Sequence, residues 1–454
     1  MILTNCKPYL YFCCLIILLV GACKEPAPNV PVLPKITEHE LPAIWANMTL
    51  HITQHTPANS PTFASRAFGY IGLTMYESVV HGFAEKKSLS GQLNEMPPLP
   101  IPEEDKQYNW ALSLNASQAY ILSQIYQQTS DENKQKIDSL ESVVKIVLGR
   151  EVADEAIINR SIGFGQEVAS VIFEWSKEDG GHRGYLKNFD INFVQKSDRG
   201  NWRPPFFAQT ISRLPLHPDW GNNRTFLVEN SDWYIPSFLP YDSLNSSQYF
   251  QEFHRVYEHN TNLSQEQKEI AMWWNDDPGE TATPPGHSYN LVTLVTKNKK
   301  SDIFTAAEAY ARVGLAVADA FVVCWKMKYH YFSERPSTYI SEYIDDEWEP
   351  FWPDPPFPAF PSGHATQAAA VATVLSDVFG EKLEFVDVTH SKRKKDKLRN
   401  VEYKERHFNS FWEVAEETAL SRFFGGIHSE YDNVIGLQEG RKVGEHVNSL
   451  KWDN

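Results

Sequence analysis

The sequence predicts an all-α fold in which two helical-bundle halves form one large domain. Long segments carry small and apolar residues at the three- and four-residue spacing of an α-helix, whereas alternating strand patterns are few. With 454 residues, of which 42% are hydrophobic, the chain can bury a large core. We place the halves at residues 38–244 and 245–454, and the first half ends in long loops rich in proline and aromatic residues.

The N-terminus has the layout of a secretory signal peptide, residues 1–22. A short polar start that contains Lys7 is followed by an apolar run that ends at Val20 and is short for a transmembrane helix. The small residues before Cys23 resemble a bacterial lipobox, which implies a lipid on Cys23, and the proline-rich residues 23–37 then form a tether. An ordinary signal peptide and an uncleaved anchor are the alternatives. We therefore expect an exported, membrane-anchored lipoprotein in the periplasm or at the outer membrane or cell surface.

Charge and cysteine usage limit the partners of the folded body. The formal net charge of −16 argues against nucleic acid or an anionic membrane surface as a general partner. Membrane contact is therefore expected through the lipid anchor only. Cys324 is the only one of the five cysteines that follows Cys23, so the mature chain cannot form an internal disulfide.

Three segments of the first half predict helices. One begins with Ser60 as the N-cap and Pro61 at the first helical position. Residues 107–129 and 151–180 repeat the helical spacing of apolar and small residues. The segment from about 180 to 244 is instead dense in Pro, Gly, Asn and aromatic residues. A loop of that length is expected to wrap the helices or to form the wall of a pocket.

Helical patterns resume in the second half. They cover residues 245–275, 301–332, 361–380 and 411–447. Residues 390–406, "HSKRKKDKLRNVEYKER", form a charged insertion between the last two patterns. We interpret this insertion as a solvated loop, and a basic docking patch is the alternative.

One helix start in the second half carries polar groups able to hold an anion. In residues 357–370, "FPAFPSGHATQAAA", the first turn of a predicted helix contains Ser362, Gly363 and His364. The positive pole of a helix and its unpaired N–H groups favour an oxyanion at this position. Because Ser before Gly is also a common helix cap, this block alone indicates a site only weakly.

Two cations precede this helix. Lys328 stands seven residues before Arg335, which is followed by Pro336. Seven residues are two turns of an α-helix, so we expect both side chains to project from one helical face towards one spot. The alternative is that both side chains extend over the surface with their charged ends in water.

A third block lies near the C-terminus. Arg422 stands six residues before His428, and a bend at Gly425-Gly426 would let the guanidinium and the imidazole meet in one pocket. Asp432, four residues after His428, can accept a hydrogen bond from it and fix its tautomer. An ordinary ion pair and a core histidine are the alternatives. Together, two arginines, one lysine, two histidines and a helix N-terminus would form a cage for a tetrahedral oxyanion.

The three blocks resemble the superfamily of type 2 phosphatidic acid phosphatases, bacterial class A acid phosphatases and vanadium-dependent haloperoxidases. The shared pattern is Lys-x6-Arg-Pro, then Pro-Ser-Gly-His, then Ser-Arg-x5-His-x3-Asp, in this order along the chain. Every position of the pattern is occupied here, by Lys328, Arg335, Pro336, Pro361, Ser362, Gly363, His364, Ser421, Arg422, His428 and Asp432.

Features outside the motif resemble the haloperoxidases rather than the phosphatases. The long helical half before the motif matches the two-bundle architecture of haloperoxidases, whereas the phosphatases are usually much shorter or span a membrane several times. Trp325 and Phe357 stand where haloperoxidases have aromatic residues on the halide side of the vanadate, although simple core packing is the alternative. The segments "WWNDDPGETATPPGHSYN" and "HPDWGNNRTF" are also similar, so the resemblance covers most of the mature chain.

The resemblance implies vanadate as the cofactor and gives each residue of the cage a role. His428 would bind the vanadium through a ring nitrogen, and His364 would move the proton of hydrogen peroxide as base and then as acid. Lys328 would polarise the bound peroxide. Asp276 would hold the His364 ring, with Asp277 as the second choice and a turn or helix-end role as the alternative. The vanadate oxygens would be held by Lys328, Arg335, Ser362, Gly363 and Arg422.

The implied activity is the oxidation of a halide by hydrogen peroxide to hypohalous acid. Iodide is the first expected substrate and bromide the second, because iodide is the easier to oxidise. One alternative is an exported acid phosphatase, in which His428 would form a phosphohistidine and His364 would protonate the leaving group. A second alternative is an inactive lipoprotein that binds phosphate or a partner.

Overall fold

The computed structural model describes residues 35–454, which form one compact unit. The predicted signal peptide (residues 1–22), Cys23 and most of the tether lie outside the described residues, so those features stay predictions. Within residues 35–454 no helix combines the length and the apolar character that a membrane span requires. The boundary at residue 244 between the two halves also stays a prediction.

The described chain begins with five α-helices. They are α1 (Leu41–His55), α2 (Pro61–Glu77), α3 (Trp110–Ile125), α4 (Asp131–Gly149) and α5 (Glu155–Ser176). The Ser60 hydroxyl accepts from the Phe63 N–H at 3.3 Å, and Pro61 takes the first helical position of α2, as the sequence predicts. Helices α3 and α5 confirm the two other predicted segments. Helices α1 and α4 were not predicted, and α4 buries only a narrow stripe of its surface, which weakens its apolar periodicity.

The remaining chain adds eight helices and a small sheet within the described range. These elements are α6 (Gln248–Thr261), α7 (Gln265–Trp273), α8 (Thr283–Lys299), α9 (Ile303–Tyr331), α10 (Pro336–Tyr343), α11 (Gly363–Phe379), β1 (Phe385–Asp387), β2 (Arg406–Phe408), α12 (Phe411–Phe424) and α13 (Glu430–Ser449). The two strands pair antiparallel, with Phe385 opposite Phe408. All four predicted helical segments are confirmed, whereas α8 and α10 were not predicted.

The long aromatic segment between α5 and α6 folds back on the helices with little regular structure. From residue 177 to residue 247 it contains only short 3-10 turns, in agreement with its composition. Phe189 pairs with Leu216 as an isolated antiparallel bridge. The Leu216 carbonyl accepts hydrogen bonds from Trp325 at 3.3 Å and Tyr329 at 2.5 Å, so the segment is fastened to α9.

Helix α9 is the centre of the core. Nearly all of its side chains are buried, including the thiol of Cys324. It packs so closely on α2 that a Cβ atom at Gly314 would lie 2.4 Å from the Phe68 carbonyl oxygen. Helices α11 and α13 are equally close, because a Cβ atom at Gly440 would lie 2.0 Å from the Thr366 carbonyl oxygen. The start of α11, which carries the Ser-Gly-His block, is therefore positioned by close helix packing.

Replacing Gly440 with Ala is expected to lower the free energy of unfolding by about 1–3 kcal/mol, because the added methyl group would overlap the Thr366 carbonyl. The measurement is equilibrium unfolding in urea. Gly163 in α5 is the matched control, since nothing lies within 4 Å of a Cβ atom built there. Gly163→Ala should leave the stability unchanged or raise it slightly. Equal unfolding midpoints for the two variants would contradict the close contact between α11 and α13.

Candidate active site

Lys328 and Arg335 reach the same stretch of backbone, although they do not belong to one helix. Helix α9 ends at Tyr331, Phe332 adopts a left-handed conformation with φ of 53°, and Arg335 is the N-cap of α10. The expectation that two turns of one helix align the two side chains is therefore wrong, because the helix is broken between them. They still converge, since Lys328 Nζ lies 2.9 Å and Arg335 Nη2 3.5 Å from the Pro358 carbonyl oxygen.

The Lys328 ammonium group is buried and is held by three backbone carbonyls. Nζ donates to the carbonyl oxygens of Pro358 at 2.9 Å, Ala359 at 2.6 Å and Pro361 at 2.6 Å. Burial lowers the pKa of Lys328 to about 7. The three hydrogen bonds thus hold the Lys328 ammonium group at a fixed position beside the start of α11.

Ser362 caps α11 and also faces the neighbouring block. Its Oγ accepts from the Ala365 N–H at 3.4 Å, which confirms the capping role. Accepting uses a lone pair of the oxygen, so the hydroxyl hydrogen is available for an anion. The Ser362 N–H donates to the Asp432 carbonyl at 3.1 Å. The N–H of Gly363, in the first turn, has no acceptor within its own helix.

The bend after α12 brings His428 to Arg335. Gly426 adopts a φ of 77° between α12 and α13, which confirms the expected bend. Arg335 Nη1 lies 3.1 Å from His428 Nε2, and His428 Nδ1 lies 3.0 Å from Asp432 Oδ2. Because a carboxylate only accepts, Nδ1 carries the hydrogen, and the Nε2 lone pair accepts a hydrogen bond from Arg335 Nη1.

The cage contains more buried positive charge than negative charge. Burial lowers the pKa of Arg335 and that of Arg422 to about 10. Burial and the neighbouring cations hold the pKa values of His364 and His428 well below their usual range, so both imidazoles are neutral at neutral pH. An anion between these groups would relieve the repulsion among Lys328, Arg335 and Arg422.

Asp276, the predicted partner of His364, binds two other histidines instead. One Asp276 carboxylate oxygen lies 2.7 Å from His287 Nδ1, and the other lies 2.8 Å from His390 Nε2. Among residues 35–454 Asp276 has no hydrogen bond with His364, and its role towards that ring stays a prediction. Asp277, the second choice, accepts a hydrogen bond from the long aromatic segment at 3.1 Å.

His364 follows Ser362 and Gly363 in the first turn of α11. Nε2 is buried and has no hydrogen-bond partner among residues 35–454. A buried nitrogen without a partner is costly and is typical of a ligand site. This nitrogen, the lone pair of His428 and the excess of buried cations fit a tetrahedral oxyanion such as vanadate.

Three further buried residues beside the cage were not predicted. His287 Nε2 lies 2.8 Å from Asp387 Oδ2, and both residues are buried. They continue the contacts of Asp276 into a line of hydrogen bonds, which we call the His–Asp chain (Asp276, His287, Asp387 and His390). No local spacing could indicate it, since His287 and Asp387 are 100 residues apart in sequence. His390, moreover, opens the insertion that was predicted as a solvated loop.

The side chains of the His–Asp chain are paired with one another by hydrogen bonds. Asp276, His287 and His390 also offer atoms within 4.8 Å of one another that could ligate a metal. Burial lowers the pKa of His287, but the carboxylates of Asp276 and Asp387 outweigh burial and raise it to about 10. The imidazolium of His287 thus donates to a carboxylate from each ring nitrogen.

The predicted aromatic pair borders the cations. The ring centroids of Trp325 and Phe357 are 4.9 Å apart. Lys328 Nζ lies 5.3 Å and Arg335 Cζ 5.1 Å from the Phe357 centroid, within the range of cation–π attraction. Trp325 is fully buried and packs in the core as well. The location of both rings is thus consistent with the prediction, and their role towards a halide stays a prediction.

A cleft of about 850 Å³ reaches the cage. His364, Arg422, Phe357 and Asp277 line it, together with residues of the long aromatic segment. These are Asn188, Phe189, Ala208, Gln209, Thr210 and Leu216. The expectation that this segment forms the wall of a pocket is therefore confirmed. The cleft is large enough for small inorganic and organic molecules.

The chain is similar to known proteins in sequence and in fold. The VCPO second helical-bundle domain matches residues 308–451, which contain all three blocks. Vanadium chloroperoxidase from Curvularia inaequalis is 26% identical over 215 residues, which are 36% of this chain and 35% of that protein. The first bacterial vanadium-dependent iodoperoxidase with a crystal structure is 27% identical, with a TM-score of 0.80 over 93% of this chain and 98% of that chain. The chain is thus similar to vanadium haloperoxidases in sequence and in fold.

Other solved vanadium haloperoxidases share the fold at lower identity. The apo form of a bacterial vanadium-dependent chloroperoxidase is 15% identical, with a TM-score of 0.65 over 87% of this chain and 94% of that chain. The predicted all-α haloperoxidase fold is thus confirmed. The matching region spans about a third of the length of the curated vanadium chloroperoxidase.

Proposed function

We propose that this protein oxidises halide with hydrogen peroxide to hypohalous acid, with vanadate as cofactor and iodide as the preferred halide. The observation that carries the proposal is the cage itself. Lys328, Arg335 and Arg422 are buried around two neutral imidazoles, and His364 Nε2 has no partner among the described residues. The similarity to vanadium haloperoxidases supports vanadate rather than phosphate as the anion that these groups hold.

Each residue of the cage has a geometry suited to its proposed role in holding vanadate. When bound, vanadate supplies a Lewis acid that polarises peroxide. His428 offers Nε2 to it, because Asp432 keeps the hydrogen on Nδ1. Lys328 contributes a positive charge that three carbonyls prevent from moving. The groups that would hold the vanadate are Lys328, Arg335, Ser362, Gly363, Arg422 and His428.

His364 is placed to move the peroxide proton. Its Nε2 carries a lone pair, and the residue lines the cleft through which peroxide would enter. Burial and the neighbouring cations depress the pKa of His364, and an anion in the cage would offset the effect of the cations and raise this pKa. The ring could then take a proton from hydrogen peroxide at Nε2 and return it later in the cycle.

The preference for iodide rests on one comparison and one chemical argument. The iodoperoxidase structure covers nearly the whole of this chain at the highest identity among the structures compared above. Iodide also loses electrons more easily than bromide, so a moderately polarised peroxide is enough. Phe357 lines the cleft beside the cations and is the first residue to substitute in a study of halide preference.

Paired assays test the proposed function. The vanadate-loaded protein is assayed for peroxide-dependent oxidation of iodide and of bromide, and the vanadate-free protein is assayed for hydrolysis of a phosphate monoester. We expect oxidation that requires vanadate and is faster with iodide. Phosphate release without vanadate, in the absence of halide oxidation, would instead identify an acid phosphatase. The absence of both activities would favour an inactive anion-binding lipoprotein.

We also propose that the chain is exported and lipidated at Cys23, which the sequence of residues 1–23 supports. Cys23→Ala is therefore expected to abolish labelling by radioactive fatty acid and to move the protein out of the membrane fraction of a bacterial host. Cys14→Ala is the matched control, because Cys14 lies inside the apolar run and should not carry the lipid. Undiminished label in the Cys23 variant would contradict this proposal.

A further inference from the structure

The charged insertion, residues 390–406, is fastened to the wall of the cleft. Arg393 Nη2 donates to Glu280 Oε2 at 2.7 Å. The Arg399 guanidinium lies over the Trp352 ring, with Cζ 4.5 Å from the ring centroid. Because Glu280 and Trp352 both line the cleft that reaches the cage, the insertion borders that cleft. Arg393 also offsets the negative charge that Glu280 places there.

Contacts within the insertion hold its shape. Asp396 and Val401 exchange two backbone hydrogen bonds, of 2.9 and 3.0 Å. The Asp396 carboxylate accepts from the Arg399 N–H at 2.9 Å and from Arg399 Nη1 at 3.1 Å. The Arg393 guanidinium lies 4.4 Å from the centroid of the Tyr403 ring. The insertion therefore keeps a fixed place beside the cleft.

The insertion is strongly positive, although the protein is negative. Eight of its 17 residues are Lys or Arg and three are Asp or Glu, so its formal charge is +5, whereas the whole chain carries −16. Lys395 pairs with Glu402 at 3.5 Å. Lys392, Lys394 and Lys397 are exposed and have no ion-pair partner among the described residues. An anion that approaches the cleft thus meets positive charge that is not neutralised.

The three unpaired lysines lie close to the cleft wall. Lys392 and Lys394 flank Arg393, and Lys397 is two residues from Arg399. Consecutive Cα atoms are about 3.8 Å apart, so each lysine backbone lies within about 8 Å of an arginine that contacts the wall. At an ionic strength of about 0.01 M the Debye length is about 30 Å, and the lysine charges then act on an anion anywhere in the mouth of the cleft.

We propose that Lys392, Lys394 and Lys397 form a positive rim that attracts small inorganic anions into the cleft. The anions meant here are vanadate and iodide, and this choice rests on the proposed function. A small anion fits better than a polyanion, because the net charge of −16 would repel a long polyanion beyond the insertion. Hydrogen peroxide is uncharged, so the rim does not affect its entry.

Neutralising the positive rim tests the proposal. The rim variant carries Lys392→Gln, Lys394→Gln and Lys397→Gln, and its Kd for vanadate is measured by equilibrium dialysis. At an ionic strength of about 0.01 M we expect the Kd to rise about 3–10-fold. At about 0.5 M the Debye length is only about 4 Å, and the rim variant should bind as tightly as the wild type. Replacing the three lysines with Glu should enlarge the effect at low ionic strength, because the change in charge is doubled.

Kinetics of the vanadate-saturated enzyme give a second readout. In the rim variant the KM for iodide should rise about 3–10-fold at low ionic strength, while kcat stays unchanged because the cage is intact. The KM for hydrogen peroxide should stay at the wild-type value, since a neutral molecule is not attracted by the rim. A merely structural role of the lysines would change both KM values.

Three lysines at the far end of α8 provide the matched control. Lys297, Lys299 and Lys300 are also exposed, whereas Pro284, at the other end of α8, lines the cleft. The rise of an α-helix places Lys297 about 20 Å along the axis from Pro284. Replacing these three lysines with Gln removes the same total charge and should change the Kd for vanadate less than about 2-fold.

The proposal fails if the rim variant binds vanadate as tightly as the wild type at low ionic strength, or if the α8 control loses as much affinity. Equal rises in the KM values for iodide and peroxide would also overturn it. A wild-type protein that binds vanadate but oxidises no halide would refute the proposed function, and dialysis would still decide whether the rim acts. A wild-type protein that binds no vanadate would refute both.

Discussion

Replacing His428 with Ala is expected to abolish vanadate binding and to lower kcat/KM for iodide oxidation by at least about 10³-fold. Under the proposed function His428 Nε2 is the ligand of the vanadium, and the orientation of its ring is set by the hydrogen bond between Nδ1 and Asp432. Alanine removes the ligand but leaves the cations in place. Equilibrium dialysis against vanadate and the iodide assay measure the two effects.

The His428 prediction has a specific control. His446→Ala removes another imidazole from the same region of the chain, at the far end of α13, and should leave both quantities unchanged. Urea unfolding of both variants excludes a loss of fold as the explanation. Wild-type vanadate affinity in the His428 variant would show that the imidazole is not the ligand.

Arg422→Ala is expected to reduce the gain in protein stability that vanadate binding provides. In the vanadate-free protein, Arg422 donates to Ser421 Oγ at 3.0 Å and to the Ala271 carbonyl at 3.2 Å, and the attraction by Asp277 and Asp276 outweighs the repulsion by Arg335. Its removal should therefore lower the free energy of unfolding of the vanadate-free protein, and the effect on the vanadate-dependent gain in stability is measured separately. In the wild type, vanadate at about 1,000 times its Kd should add about 4 kcal/mol to the stability.

Most of the stability that vanadate adds to the wild type should be lost in Arg422→Ala. Removing a charge-assisted contact with the anion lowers affinity roughly 100-fold, and each tenfold change is worth about 1.4 kcal/mol. Thermal unfolding with and without vanadate measures the difference. Arg312→Ala is the matched control, because this arginine is also buried but is paired with Glu308 and Asp377, each at 2.6 Å.

The Arg312 variant should be less stable in both conditions, with an undiminished gain from vanadate. Breaking a buried ion pair leaves a buried carboxylate without its partner, and this cost is the same whether or not the cage is filled. An Arg422 variant that gains as much stability from vanadate as the wild type would contradict the role of this arginine.

The cage could be predicted because its residues lie in short, ordered blocks. The positions of Ser362 and Asp432 are fixed by the N-termini of α11 and α13, and a helix N-terminus depends on a few adjacent residues. The path between Lys328 and Arg335 could not be predicted in the same way. It depends on Phe332 in a left-handed conformation, which phenylalanine rarely adopts and which no neighbouring residue signals.

The surroundings of the cage escaped prediction for a different reason. The resemblance to haloperoxidases implies Asp276 as the partner of His364. The structure gives that carboxylate to His287 and His390, which lie 11 and 114 residues from it in sequence. Contacts over such separations depend on how helices and loops pack, and a single sequence carries no local trace of them.

The burial of Cys324 on α9 has a consequence for an enzyme whose product is itself an oxidant. Hypohalous acid attacks sulfur readily, and exposed thiols and thioethers are among the side-chain groups most easily oxidised. Burial raises the pKa of Cys324, which keeps the sulfur as the less reactive thiol. Among residues 35–454 the thioethers are also sheltered, since Met75, Met96, Met272 and Met327 are buried and Met48 is half-buried. Under the proposed function, burial therefore protects the sulfur atoms from the oxidant that the protein releases. The rate at which the enzyme loses activity by oxidation then depends on how often the core opens.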